Sequence, residues 1–364
     1  MSLPRFYPWH EEAARAWLGE EQRRRFAHAW LIHGLAGIGK VEFARAAAAS
    51  LLCESPQGSG ACGHCPACTW YASGNHPDFR RVRPEAVALA EGQAEEDGAE
   101  EETADADGKK AGKRAPSREI RIEQIRAIES WANTGTHRGG LRVVVLYPAE
   151  SLNTISANGL LKILEEPPPH TVFLLVSDAP DRLLPTLVSR CRRLPLGAPA
   201  PGPALAWLEA QGVQDAAAQL AAAGGAPVAA WRRAEAGIPP RAPWLDAFVA
   251  ALAQGRPPDL GQIVDALDKV PAAEWIDALQ RLTTDVALAQ AGMGARYFPE
   301  LAPHSAKIGE RAERARVAEL SRWLSRQRRI ADHPLNARLF AQDVLAQASA
   351  ACLGRRPARA AVQA

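Results

Sequence analysis

A chain of 364 residues is long enough for two or three domains at roughly 100–200 residues each. Its 47% hydrophobic and 23% charged residues are those of a folded protein, which excludes collagen-like, coiled-coil and mucin-like chains. The 43 Lys and Arg residues nearly cancel the 41 Asp and Glu residues, leaving +2, so bulk charge argues for neither polyanion binding nor membrane attraction. No run of about 18 apolar residues occurs, and Met1–His10 has neither the basic nor the apolar part of a leader. The expectation is a cytoplasmic protein with no membrane partner.

In chain order, the first strong signal is the short apolar run Ala29–His33, a strand that enters Gly34. Val41, Ala44, Ala48 and Leu51 then recur at helical spacing. Between them Gly34, Gly37, Gly39 and Lys40 fit the phosphate-loop spacing after a strand and before a helix. Such a loop lets backbone N–H groups and the helix N-terminus surround a phosphate, while the lysine reaches its terminal oxygens. The next position should carry a Ser or Thr hydroxyl for Mg²⁺, and here it is Val41.

Cys53, Cys62, Cys65 and Cys68 bring four thiols together, with two overlapping C-x2-C pairs. That spacing lets thiolates converge on one tetrahedral ion, so a closed structural zinc site is expected over 53–68. His64 is an alternative ligand, and a redox pair the rival reading, which would leave two cysteines unexplained. Cys191 and Cys352 stand alone and are expected in the core.

Residues 84–118 carry ten acidic residues between Glu85 and Asp107, then Lys109, Lys110, Lys113 and Arg114. With almost nothing apolar to bury, the stretch is expected to be a disordered surface insertion. Ile122, Ile125, Ile128 and Trp131 then mark a helix. Arg142–Tyr147 and Thr171–Val176 are continuous apolar runs of the kind that form buried parallel strands. Between them Ile155, Leu160, Leu161 and Leu164 mark a helix that must stop before Pro167.

The strand 142–147 ends in Tyr147, Pro148 and Ala149, where a phosphate-loop ATPase places its metal-holding acids; Glu150 lies beyond that place. Missing hydroxyl and missing acids together argue against hydrolysis. Nucleotide binding without hydrolysis stays open, because the glycines and Lys40 remain.

Past Pro195 the prolines 199, 201 and 203 form a hinge-like stretch, and only Ala- and Leu-rich helical patterns follow. The expected organisation is an α/β parallel-sheet domain over 1–197, a small helical lid over 198–240, an all-α domain over 241–352 and a flexible tail over 353–364.

The run Leu160–Pro168, the following strand and the triplet Ser189-Arg190-Cys191 resemble bacterial clamp-loader subunits of the AAA+ class. Tyr7-Pro8-Trp9, the four-cysteine module and His76-Pro77-Asp78 make the chain similar to the delta-prime family of DNA polymerase III, over all but the 84–118 insertion. Motor subunits of the tau/gamma type resemble it less, since they keep the loop hydroxyl and the strand-end acids. Their lid-domain arginine is also absent after Gly224-Gly225, where Ala226-Pro227 follows.

The resemblance implies an AAA+ fold whose C-terminal helices form an oligomerisation collar. It also implies a place in a heteropentamer with motor and delta subunits that loads the sliding clamp on primer-template DNA. Family members of this kind act as a stator and lend an arginine to a neighbour's ATP site, and the matching residue is Arg190. From the triplet alone, the favoured reading is an Arg190 paired with an acid of its own domain; the missing hydroxyl and acids of the phosphate loop reverse that preference. Glu165 and Glu166 are odd choices at a helix C-terminus, where they oppose the macrodipole; they suit either partner geometry or a solvated end. The competing function is an autonomous AAA+ ATPase of the initiator or helicase-loader type, distinguished by ATP turnover of the isolated chain.

Overall fold

The computed structural model describes residues 3–19, 26–92, 115–137, 139–331 and 336–354. The chain divides into two compact units, Met1–Pro203 and Ala204–Ala364.

The first unit is built on five parallel strands in the order β2-β3-β4-β1-β5. These are β1 (Ala29–Gly34), β2 (Phe79–Val82), β3 (Arg142–Leu146), β4 (Thr171–Ser177) and β5 (Arg192–Leu196). The three central strands are those whose sequences are continuously apolar, as burial on both faces requires. The edge strands β2 and β5 carry Arg80, Arg81, Arg192 and Arg193, and their polar side chains hide the strand signal. Pro195 is tolerated in β5 because an edge strand can leave an N–H unpaired on its open side.

One face of the sheet presents Leu31, Val144, Leu146, Phe173 and Leu175 to Ile125, Leu160, Leu164 and Leu187. Those partners come from α5 (Ile122–Ala132), α6 (Thr154–Glu165) and α7 (Pro185–Arg190). On the alternate side chains of β1, Trp30 meets Trp17 of α1 (Glu11–Leu18), which stacks on Phe43 of α2 (Lys40–Leu52). Helices therefore cover both faces, as a parallel sheet demands. α3 (Pro66–Ser73) follows the cysteine cluster and is anchored by the Tyr71 hydroxyl donating to the Arg45 carbonyl at 2.8 Å.

The expectation of a wholly disordered 84–118 insertion is corrected over its first turns, where α4 (Glu85–Ala90) forms. Its Ala86 N–H donates to the Ser117 carbonyl, and the Glu85 carboxylate accepts from the Ser117 N–H, each at 3.0 Å. Ala88 is buried, and Glu91 pairs with Arg83 and accepts from the Tyr147 hydroxyl. The acidic run thus begins with two carboxylates that have structural partners; residues 93–114 of the insertion lie outside the described residues.

The regular elements of the second unit are all helices among the described residues. Ala204, Leu208, Ala216, Leu220 and Ala230 form a small apolar cluster, and a larger one gathers around Phe248, Leu252, Ile276, Val286, Leu324 and Leu345. Asp285 is fully buried among them, its carboxylate accepting from the backbone N–H groups of Arg296, Tyr297 and Phe298 at 2.8–3.2 Å. Of the expected tail, residues 355–364 lie outside the described residues.

Candidate functional site

The phosphate loop lies at the C-terminal end of β1, where parallel α/β sheets place their ligands. Gly34 is dictated by crowding: a Cβ there would stand 2.2 Å from the Leu196 carbonyl oxygen of β5. Gly39 takes φ +91° immediately before α2, a backbone region that side chains rarely enter.

Lys40 does not face an open loop. Its ammonium has three N–H donors, and the chain itself takes three: the carbonyls of Gly34 (3.0 Å) and Leu35 (2.6 Å) and the carboxylate of Asp178. The residue is 3% exposed. Asp178, just past β4, escapes sequence reasoning because nothing local marks it. The strand order brings it there, since β4 is hydrogen-bonded to β1 and their ends coincide. Glu150 also reaches this corner, its Oε1 accepting from the Asp178 N–H at 3.1 Å.

The rest of the loop is walled in. The Trp9 indole N–H donates to the Ile38 carbonyl at 2.9 Å, and Tyr7 stacks on Trp9 with ring centroids 4.8 Å apart. His10 lies buried edge-on against Phe43, with neither ring nitrogen bonded. Burial, then the charge of Lys40, holds its pKa down at about 4. Val41 stands at the hydroxyl position. At the end of β3 the buried Tyr147 replaces an acid, and burial pushes its phenol up to about 12.

Arg190 ends α7 and is far more open. Its Nη1 donates to the Thr186 carbonyl one turn back at 3.0 Å, and its Nη2 donates to the Glu165 carboxylate at the end of α6. The two side chains are 36% and 48% exposed. The structure therefore brings Arg190 together with an acid of its own domain, and gives one of the two terminal glutamates of α6 a partner. The neighbouring Cys191 packs in the sheet core, as expected, and Cys352 in the helical core.

Cys53, Cys62, Cys65 and Cys68 converge so that their four sulfurs lie within 4.8 Å of one another. Cys53–Cys65 and Cys62–Cys68 sulfurs are each 3.9 Å apart. A tetrahedral Cys₄ site with metal–sulfur bonds of about 2.3 Å has an edge of about 3.8 Å, so the cluster can hold a metal ion. Backbone N–H groups of Cys62, Cys65 and Cys68 point at sulfurs of Cys53, Cys62 and Cys65, supporting thiolates. The His64 N–H helps hold the Cys62 thiol down at about 6, while burial pushes Cys53 and Cys68 up. His64 turns its ring to the Cys62 carbonyl and is not part of the cluster.

His76-Pro77-Asp78 has a structural explanation. Asp78 is buried and accepts from the His137 N–H at 3.0 Å, and the Trp131 indole donates to the Pro77 carbonyl at 2.9 Å, tying the start of β2 to α5. In the second unit the helix Pro227–Glu235 has its basic residues, Arg232 and Arg233, in the last turn.

Fold and site together define a phosphate-loop AAA+-type α/β domain whose loop cation is consumed internally and which carries a four-cysteine module. A family model described as DNA polymerase III, delta subunit, matches residues 9–199. The DNA polymerase III subunit delta-prime of Pseudomonas aeruginosa is 33% identical over 337 residues, covering 88% of this chain and 90% of the relative. That of Escherichia coli is 34% identical over 218 residues, covering 60% and 57%. A DNA polymerase III subunit tau from Salmonella typhimurium is 29% identical over 174 residues, covering 48% of this chain and 22% of the relative. Among solved structures, a DNA polymerase III gamma subunit-related protein from Thermotoga maritima aligns over 92% of this chain and 99% of its own, at 15% identity and a TM-score of 0.40. The chain belongs to the delta-prime family of DNA polymerase III subunits.

Proposed function

We propose that the chain is a non-hydrolysing stator subunit of the clamp loader, a cytoplasmic replication factor that helps place the sliding clamp on primer-template DNA. Its partners are motor subunits of the tau/gamma type and a delta subunit in a heteropentamer. The observation that carries the reading is the contrast in use of cations: Lys40 spends its three donors on its own chain, while Arg190 stands at the domain surface. Phosphoryl transfer needs a fixed metal and a fixed water, and neither Val41 nor Tyr147 can hold one. Arg190 is suited to act on a neighbour's ATP, because guanidinium is permanently charged and offers a planar fork to developing γ-phosphate charge.

The test is a reconstituted complex. Arg190→Ala should assemble normally, sharply reduce clamp loading and partly reduce ATP turnover, since trans-acting arginines contribute roughly 10³–10⁵ in rate at the one site they serve. Arg190→Lys should rescue poorly, because a point charge lacks the fork. Clamp loading by the Ala variant at the wild-type rate would sink the proposal.

The cysteine cluster is assigned to a structural zinc ion with no open position, held by Cys53, Cys62, Cys65 and Cys68. Zinc content near one per chain is expected in protein prepared without chelators. Cys65→Ser should lose the metal and the local order of 53–68 while leaving the sheet folded. A metal-free preparation with an intact module would refute it.

A further inference from the structure

We propose that Glu165 is a positioning residue for Arg190, holding the guanidinium at the surface in the orientation from which it serves a neighbouring subunit; this rests on the reading of Arg190 given above. The two residues terminate different helices, α6 and α7, and their side chains close the gap between the helix ends. An acid at the last position of α6 disfavours the helix through its macrodipole, so helix stability does not explain it. Fold stability explains it no better, because an ion pair with both members exposed contributes little. Orientation is what the pair provides.

Arginine has a long side chain with many rotamers, and here two contacts fix it: Thr186 on its own helix and Glu165 on the preceding one. Those contacts use one N–H of Nη1 and one of Nη2. Guanidinium has five N–H donors, so three stay available for phosphate oxygens in a plane already set. α6 also carries Leu160–Glu165, the helical part of the Leu160–Pro168 run, so the position of the helix bears directly on the direction of the guanidinium.

The experiment measures ATP turnover in the reconstituted complex at the site next to this chain, the other motor subunits being inactive. Four forms are compared with wild type: Arg190→Ala, Glu165→Ala, Glu165→Gln and the Glu165→Ala/Arg190→Ala double variant. Glu165→Ala should lower kcat by about two- to fivefold, as far as an exposed ion pair can bias an orientation, with the KM for ATP unchanged. Glu165→Gln, which keeps the shape and loses the charge, should also fall short of wild type, and it decides the matter if the Ala variant does not assemble. In the Arg190→Ala background the Glu165 substitution should have no further effect.

Wild-type turnover by both Glu165 variants, with Arg190→Ala impaired, overturns the positioning role and leaves the trans-acting arginine standing. The same fold-loss on top of Arg190→Ala also overturns it, since Glu165 then acts by itself. Wild-type turnover by Arg190→Ala removes the reading on which the inference rests, and the inference with it.

Discussion

The phosphate loop and the Arg190 corner belong to the same sheet unit and differ in what surrounds their cations. Lys40 is 3% exposed and bonded three times to its own chain. Arg190 is 36% exposed and keeps donors to spare. A buried cation must be matched by its own fold, whereas an exposed one can wait for a partner. Within one sheet unit, the lysine of the phosphate loop is therefore paired by its own chain while Arg190 keeps unused donors at the surface.

The largest expected effect tests how closed the loop is. His10 sits buried beside Lys40 with its pKa held down at about 4 against an ordinary 6.5. Between those values the unfolded chain binds a proton that the folded chain refuses, so stability is full above about pH 6.5 and falls as pH drops toward 4. At about 1.4 kcal/mol per pH unit, the loss approaches roughly 3 kcal/mol. Denaturant titrations at pH 7, 5.5 and 4 should show it in the wild type and not in His10→Phe; parallel curves for the two proteins would mean that the ring is hydrated.

Next in size is Asp178→Ala, which strips the carboxylate from a buried ammonium. Removing one member of a fully buried pair costs about 3–5 kcal/mol, and because the Asp178 side chain is 47% exposed the expected loss is nearer 2 kcal/mol. The same variant frees one Lys40 donor, so a fluorescent ATP analogue should bind it more tightly than wild type, still without turnover. Equal binding by both proteins would show that the wall formed by Trp9 and His10, not the ion pair, closes the loop.

The smallest effect belongs to Arg190→Ala, whose exposed pair with Glu165 should contribute no more than about 1 kcal/mol to the isolated chain. A midpoint shift of more than about 1.5 kcal/mol would make Arg190 a structural residue and erase the contrast with Lys40.

The central strands, the helices at 122–132 and 154–165, the loop spacing and the cysteine cluster are legible in the sequence because each is a local pattern. A buried parallel strand must be apolar throughout, and a C-x2-C pair places two sulfurs near one point whatever the rest of the chain does. The edge strands β2 and β5 are not legible, since one open side relaxes the apolar requirement and admits arginines and Pro195. Nor is α4, whose short apolar run Ala86–Ala90 is masked by the acidic residues around it.

What only the tertiary structure decided is which charges meet. Lys40 and Asp178 are 138 positions apart in the sequence and become neighbours because β4 lies beside β1. Glu165 meets Arg190 because α6 and α7 pack on the same face of the sheet. The sequence by itself determined that the chain has a phosphate loop without its hydroxyl and an arginine after the last central strand. Strand order decided that Lys40 meets Asp178, and helix packing on the sheet decided that Arg190 meets Glu165, because Coulomb pairing depends on distance in space and no local pattern encodes it.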